Sequence, residues 1–194
     1  QHTLAALKPN GRAAVVLDTG AVTRGSGSRN EDKEKTIRKW FVDHDLIEGV
    51  ILLPDNLFYN ATAAGIIVML NRQKLKHRKN KIVLVNASRE FKKGRPKNYI
   101  PEAEIKKIVQ AFIKGHDVDR FVKVITKEEA AENDYNLAPS RYVDTSEQEV
   151  YRPIPEMLGE LWGKDGLEKQ AEKIDGDLKK IFEQMGFSSK SSGR

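Results

Sequence analysis

The stretch LPDNLFYNATAAGIIVMLNR, residues 53–72, decides the fold prediction for this chain of 194 residues. Its second half, Ile66 to Leu70, is an uninterrupted apolar run rich in β-branched residues, which is typical of a strand buried on both faces inside a sheet. The loop before it opens with Pro54 and carries two adjacent aromatic residues, Phe58 and Tyr59. Such side chains at the end of a buried strand either stack a planar ligand or plug the end of the core.

The segments around this stretch predict a mixed α/β sheet. The predicted strands are residues 12–17, 46–53, 66–70, 81–86 and 121–125, and the predicted helices are residues 33–43, 101–115 and 127–132. A strand, a helix and a second strand in succession indicate a partly parallel sheet. The short link between the strands at 66–70 and 81–86 permits an antiparallel hairpin at the sheet edge. We expect the first helix to turn Ile37, Trp40 and Phe41 inward, and the polar segment 23–35 to be a mobile loop.

Positive charge is concentrated in one segment. Between Arg72 and Lys97 the chain has eleven Lys or Arg residues and one acidic residue, Glu90, whereas the net charge of the whole chain is +6. This excess of positive over negative charge favours a polyanionic partner. A common alternative is a solvated hairpin loop that carries lysines.

The region from Pro155 to Met185 has a different, helical and highly charged character. After glycines 163 and 166, six residues recur at alternating intervals of four and three, which is the spacing of a heptad seam. They are Leu167, Ala171, Ile174, Leu178, Ile181 and Met185. The seam docks on a partner helix or folds back on its own domain. We therefore divide the chain into a domain at 1–145, a helical docking region at 146–187 and a flexible tail at 188–194.

Several classes of chemistry lack their residues here. The chain has no cysteine, which excludes disulfides, thiolate metal sites and thiol nucleophiles and fits a cytoplasmic setting. Its four histidines have no metal-ligand spacing, and no apolar run is long enough for a membrane span. The GSGS segment, residues 25–28, does not join a strand to a helix as a phosphate-binding loop does. No metal site and no catalytic residues are therefore assigned.

Four segments together resemble one family. They are LKPNGRAAVVL at 7–17, IRKWFVDHDLIEGVILLPDNLFYNATAAGIIVMLN at 37–71, KIVLVNASREFKKGRPKNYI at 81–100 and AENDYNLAPSRYVD at 131–144. In this order and spacing they are similar to the C-terminal half of the methylation (M) subunit of type I restriction–modification enzymes. These enzymes are adenine-specific DNA methyltransferases, and the resemblance covers residues 1–145.

The resemblance implies a fold and a cofactor. The family has a Rossmann-like sheet whose last strands form an antiparallel hairpin, and it takes methyl groups from S-adenosylmethionine. Its glycine-rich cofactor loop and its catalytic (D/N)PP(F/Y) motif are expected upstream of Gln1. The chain is therefore expected to be a fragment of a longer enzyme and to be inactive alone.

The resemblance also assigns one site residue. In related amino-methyltransferases an aromatic residue in the loop before strand 66–70 packs against the flipped target base. Phe58 is the matching residue, and Tyr59 is the second candidate. An adenine must leave the duplex before its amino group can reach the cofactor, and stacking holds it flat. The sequence departs from the family pattern at Ala64, where proline is common, and at Asp18-Thr19-Gly20, which replaces a proline-containing turn.

Partners follow from the same resemblance. The basic segment would hold double-stranded DNA through its phosphates. The residues assigned to this contact are Lys74, Lys76, Arg78, Lys79, Arg89, Lys92, Lys93, Arg95 and Lys97. The heptad seam would dock on helices of the specificity (S) subunit, and a second M subunit and a restriction (R) subunit complete the implied assembly. The alternative is a non-catalytic module that binds nucleic acid through the basic segment and a partner through the seam.

Overall fold

A computed structural model describes residues 2–28, 32–145, 154–163 and 166–185. The chain forms two compact units, residues 1–146 and residues 147–194. The strands of the first unit are β1 (Arg12–Asp18), β2 (Ile47–Leu52), β3 (Gly65–Asn71), β4 (Lys81–Asn86) and β5 (Val122–Thr126). Its helices are α1 (His2–Ala6), α2 (Gly20–Thr23), α3 (Lys33–Asp43), α4 (Glu102–Lys114), α5 (Lys127–Glu132) and α6 (Pro139–Tyr142), with a 3-10 turn at Lys76–Arg78.

The strands form one mixed sheet in the order β1-β3-β2-β4-β5. β3 pairs antiparallel with both β1 and β2, and on the β1 side Asp18 lies opposite Gly65. β2 and β4 are parallel, and β5 returns antiparallel to β4. β1, β2 and β4 therefore run in the same direction, and their carboxyl ends lie at one end of the sheet.

The mixed α/β sheet predicted from the sequence is confirmed, with one correction. β3 lies between two strands, as its apolar residues on both faces predict. The hairpin predicted between the strands at 66–70 and 81–86 is wrong, because β3 pairs with β2 and not with β4. The loop at 53–64 is long enough for β3 to return beside β2, and this position gives β3 hydrogen-bonding neighbours on both sides.

Two apolar clusters cover the two faces of the sheet. One contains Val50 and lies under α2, α3, α5 and α6, whereas the other contains Ile51 and lies under α4. Val50 and Ile51 belong to opposite clusters because successive side chains of a strand point to opposite faces. The helices cover the sheet less completely at β1, an outer strand of the described sheet, where Val16 is 56% exposed.

Helix α3 buries an arginine instead of two of the residues predicted to face inward. Arg38 is 4% exposed, whereas Ile37 and Trp40 are each 45% exposed, so that part of the prediction is wrong. The Arg38 guanidinium donates four hydrogen bonds, to the carbonyl oxygens of Tyr135 (2.5 Å), Ala21 (3.2 Å) and Arg24 (2.9 Å) and to Ser26 Oγ (2.8 Å). Burial lowers the pKa of Arg38, and these four acceptors replace the water that the charged group has lost.

The prediction that segment 23–35 is a mobile loop is also wrong for the residues that the structure describes, because they are hydrogen-bonded to the rest of the fold. Ser26 Oγ donates to Asp134 O (3.0 Å), and the Gly27 N–H donates to an Asp134 carboxylate oxygen (2.6 Å). Lys35 pairs with the same carboxylate and holds the pKa of Asp134 below its usual value. Residues 24–28 are thus attached to the turn at 133–136, while residues 29–31 lie outside the described residues.

Replacing Arg38 with methionine should weaken the junction of α2, α3 and the turn at 133–136. The change keeps an apolar stem but leaves buried carbonyl oxygens without donors, and each such loss costs about 1–3 kcal/mol. We expect the free energy of local opening to fall by about 3 kcal/mol or more, the sum of three such losses at the low end of the range, measured by hydrogen exchange at the amides of residues 22–28 and 134–137. Lys33→Met, at an exposed position of the same helix, is the control. Equal protection in the two variants would contradict the role of Arg38.

The described residues of the second unit form the helices α7 (Ile154–Trp162) and α8 (Leu167–Gln184). The helical character predicted from Pro155 to Met185 is confirmed for the described residues, and Gly166 is the N-cap residue of α8. The predicted tail at 188–194 lies outside the described residues. Over the described ranges, no helix combines the length and the apolarity that a membrane span requires.

Candidate nucleic-acid interface

Two loops meet at the end of the sheet where β2 and β4 have their carboxyl ends. The first, residues 53–64, follows β2, and the second, residues 87–101, follows β4. Ligands of open α/β sheets commonly bind outside such strand ends. Asn98 joins the loops, because its backbone N–H donates to Asn56 O (3.0 Å) and its side-chain amide donates to Asp55 O (3.1 Å). A cleft of about 600 Å³ lies here, and Lys93 and Arg95 line it.

The two adjacent aromatic residues of the first loop have different surroundings. Phe58 packs against the cluster that contains Ile51, and its ring lies so close to Gly65 that a Cβ there would be 2.7 Å from Phe58 Cε2. Tyr59 is 83% exposed. Phe58 is half-buried and packs on the core, whereas the Tyr59 ring is the more accessible of the two to a ligand.

The second loop contains a short basic hairpin, residues 92–99. The Lys92 N–H donates to Tyr99 O (2.9 Å), and the Tyr99 N–H donates to Lys92 O (3.1 Å). Four cations of the predicted DNA-binding set are exposed in this loop: Arg89, Lys92, Lys93 and Arg95. The fifth, Lys97, is half-buried, and its ammonium group donates to the first loop. The four exposed cations can contact the phosphates of a nucleic acid.

Two other residues of the predicted DNA-binding set are buried. The Lys74 side chain is 2% exposed, and its Nζ donates to Asp45 Oδ1 (2.5 Å) and to Lys81 O (2.9 Å). Burial lowers the pKa of Lys74, and the hydrogen bond to Asp45 opposes that shift. Arg78 donates to Phe112 O (2.5 Å) and to Ile113 O in the last turn of α4, where a cation suits the helix dipole. Neither side chain is accessible to a phosphate, which corrects their assignment to DNA contacts.

Lys76 and Lys79 are exposed, but they lie at the opposite end of the sheet. They precede β4, whereas the basic hairpin follows it. A strand of six residues is about 20 Å long at about 3.3 Å per residue. The basic segment, continuous in the sequence, is therefore divided between two separate surfaces.

The second unit presents two sets of apolar side chains. The predicted seam of α8 is exposed at each of its positions: Leu167, Ala171, Ile174, Leu178, Ile181 and Met185. Helix α7 exposes a further set that the seam prediction missed: Ile154, Met157, Leu158, Leu161 and Trp162. These residues have the three- and four-residue spacing of an amphipathic helix, so the sequence contains the signal that could have found them.

Among the described residues, a metal-binding cluster is absent, and the glycines after α2 do not form a phosphate-binding loop. No group of three or more His, Asp or Glu side chains in that part of the chain could hold a metal ion. Gly25 and Gly27 lie after α2 and not after a strand, and the Gly27 N–H already donates to Asp134. The residues present thus do not fit a complete site for S-adenosylmethionine.

The sequence matches proteins of one family. The family model for N-6 DNA methylase matches residues 1–150. The methylase subunit of the type I restriction enzyme MjaVIII from Methanocaldococcus jannaschii is 46% identical over 153 residues, which cover 77% of this chain and 25% of the relative. The HindI methylase subunit of Haemophilus influenzae is 32% identical over 197 residues, which cover 96% of this chain and 43% of the relative.

Solved structures share the fold. A type I restriction–modification methyltransferase subunit from Streptococcus thermophilus is 37% identical with a TM-score of 0.67, over 74% of this chain and 29% of that one. The M protein of the type I restriction enzyme EcoKI is 13% identical with a TM-score of 0.57, over 99% of this chain and 44% of that one. The chain thus spans between 25% and 44% of the length of these four proteins. It belongs to the N-6 DNA methylase family, and the predicted resemblance to the methylation subunits of type I restriction–modification enzymes is confirmed.

Proposed function

We propose that this chain is part of the M subunit of a type I restriction–modification enzyme that acts in the cytoplasm. The whole protein transfers a methyl group from S-adenosylmethionine to the exocyclic amino group of adenine in a specific DNA sequence. One observation carries the proposal: a highly exposed aromatic residue, Tyr59, lies on a loop joined to a hairpin with exposed cations, in a chain of the N-6 DNA methylase family.

Tyr59 is the residue that we assign to the target base. An enzyme that modifies an adenine amino group must first take the base out of the duplex. Stacking on an aromatic ring is worth about 1–3 kcal/mol per base, which helps to hold the base outside the helix. Phe58, the first candidate from the sequence, packs on the core and anchors the loop that presents Tyr59. The stacking role therefore passes from Phe58 to Tyr59.

Arg89, Lys92, Lys93 and Arg95 supply the contact with the DNA backbone. Cations that neutralise phosphates position a duplex without reading its bases. Their loop is hydrogen-bonded to the loop that carries Tyr59, so a duplex held at the hairpin lies next to the stacking residue. The choice of sequence is left to the S subunit.

S-adenosylmethionine supplies the methyl group, and we assign its binding to segments outside this chain. β1 is an outer strand of the described sheet, and it exposes the apolar side chains of Val16 and Leu17. An unpaired strand edge with exposed apolar residues is a surface that proteins normally cover. We propose that in the whole protein the sheet continues across β1. This chain is therefore expected to be inactive on its own.

The test is to express the intact protein with a candidate S subunit in cells whose DNA lacks N6-methyladenine. Single-molecule sequencing of the cellular DNA then maps modified adenines. We expect methylation at one recurrent sequence, which also identifies the target adenine for later experiments. DNA that stays unmethylated, although the protein binds DNA and its partner, would support the non-catalytic module.

The exposed seam of α8 is proposed to dock on helices of the S subunit, in an assembly with a second M subunit and an R subunit. Changing Ile174 and Leu178 to aspartate places two charges in the seam. We expect the affinity of the intact protein for the S subunit to fall by about 1,000-fold, since two central apolar contacts worth about 2 kcal/mol each sum to about 4 kcal/mol. Isothermal titration calorimetry measures the change.

The matched control changes Lys169 and Lys179 to glutamine, which lowers the charge on α8 by the same two units outside the seam. This pair should bind the S subunit within a few-fold of the unchanged protein. Circular dichroism checks that both variants keep their helices. Unchanged affinity in the seam variant would favour the alternative, in which the helix folds back on its own domain.

A further inference from the structure

Lys97 differs from the exposed cations around it, because its ammonium group is used inside the protein. Its Nζ donates to Asn56 Oδ1 (2.9 Å) and to Ala61 O (3.4 Å). Asn56 and Ala61 lie on the two sides of the turn that contains Phe58 and Tyr59. A single side chain of the basic hairpin therefore bridges the base of the turn that presents the exposed aromatic ring.

Besides the packing of Phe58 on the core, backbone hydrogen bonds help to fix the shape of the turn. The Asn56 N–H donates to Thr62 O (2.8 Å), and the Ala61 N–H donates to Phe58 O (3.2 Å). Asn56 has a left-handed backbone (φ +48°), a conformation that asparagine tolerates better than most residues. Tyr59 itself is exposed, so its position depends on the backbone below it. Asn98, next to Lys97, donates hydrogen bonds to the carbonyl oxygens of Asp55 and Asn56, at the start of the turn.

We infer that Lys97 is a positioning residue, which holds the turn carrying Tyr59 and couples it to the basic hairpin that grips the DNA backbone. The inference rests on the proposed function, because it concerns the stacking of the target base. Lys97 and the cations Lys93 and Arg95 belong to one hairpin. A phosphate held by those cations fixes the hairpin, and Lys97 transmits that position to the turn. An ordered turn stacks the extruded base without a further loss of conformational entropy.

The experiment compares Lys97→Met, Lys97→Arg and Lys106→Met in the intact protein assembled with its S subunit. Lys106 is an exposed lysine of α4 that pairs with Glu102, so its variant controls for the loss of one positive charge. The probe is a duplex with 2-aminopurine in place of the target adenine, since its fluorescence rises when the base leaves the stack. The affinity for this duplex, the fluorescence at saturation, and kcat and KM for methylation of the normal duplex are measured.

We expect Lys97→Met to lower kcat and the saturated fluorescence by about tenfold, as the loss of a hydrogen bond from a charged group predicts. The affinity should stay within about threefold and the KM should change little, because Lys97 does not contact phosphate in this proposal. Lys97→Arg, which can still donate across the turn, should recover part of the signal. Lys106→Met should behave like the unchanged protein.

Two results would overturn the inference. Weaker binding with a flatter salt dependence, but full fluorescence at saturation, would make Lys97 a phosphate ligand. If Lys97→Met had the same kcat and saturated fluorescence as Lys106→Met, the contacts of Lys97 with Asn56 and Ala61 would have no role in positioning the turn. Both results presuppose an unchanged protein that methylates and extrudes the base. If the unchanged protein does neither, it is the proposed function that fails.

Discussion

Tyr59→Ala should lower the methylation rate of the intact enzyme by about 5- to 150-fold. This range follows from a stacking energy of about 1–3 kcal/mol per base, with a factor of ten for about each 1.4 kcal/mol. The affinity for the duplex should stay within about threefold, since phosphate contacts dominate affinity and Tyr59 makes none in this proposal. The rate of methyl transfer to a duplex with the mapped sequence, measured at saturating DNA, checks the prediction.

Tyr59→Phe and Phe58→Leu are the matched variants. Phenylalanine at position 59 keeps the flat ring, so this variant should keep most of the methylation rate of the unchanged enzyme. Leucine at position 58 keeps much of the apolar contact with the core beside Gly65, so this variant should fold and methylate at a moderately reduced rate. If Phe58→Leu abolished methylation in a stably folded protein while Tyr59→Ala remained active, the stacking role would return to Phe58.

Replacing the exposed cations of the loop at 87–101 should flatten the salt dependence of DNA binding. Each phosphate contact contributes about 0.9 to the slope of log affinity against log salt for duplex DNA. Changing Lys93 and Arg95 to glutamine should therefore lower the slope by about 1.8, and changing Arg89 and Lys92 as well should lower it by about 3.6. Fluorescence anisotropy of a labelled duplex at several salt concentrations measures the slope.

Lys76 and Lys79 provide a control with the same change in charge. They lie at the opposite end of the sheet from the hairpin, before β4. Changing both to glutamine should leave the slope unaltered, because a single duplex seated on the hairpin does not reach them in this proposal. If this pair flattened the slope and the hairpin pair did not, the DNA would lie at the other end of the sheet. Lys74 and Arg78 are unsuitable for this comparison, since both are buried and hold the fold.

The pattern of apolar residues was enough to predict most of the elements. The helices predicted at 33–43 and 127–132 have those bounds, and a capping box at Thr126 begins α5. Pro101 and Gly115 flank α4, where proline favours a helix start and glycine accepts the left-handed end. These predictions succeed because each depends on residues within a few positions of one another in the chain.

The pairing of the strands could not be predicted with the same accuracy. The apolar run at 66–70 correctly indicated an interior strand, but its neighbours are β1 and β2, and β4 is not among them. Pairing depends on which segments are brought together over long separations, and a local pattern carries little of that information. Arg38 is a similar case, because its burial depends on acceptors from residue 21 to residue 135.

The sequence by itself determined the family, the mixed sheet, the heptad spacing of the seam and the concentration of charge from Arg72 onward. Only the tertiary structure decided which aromatic residue is exposed and which cations are available. Phe58 and Tyr59 are adjacent and chemically alike, yet one packs on the core and the other faces solvent. Likewise, β4 separates two groups of cations that are close in the sequence. Composition and spacing record which side chains are present, whereas burial and the direction of each strand determine which of them a ligand can touch.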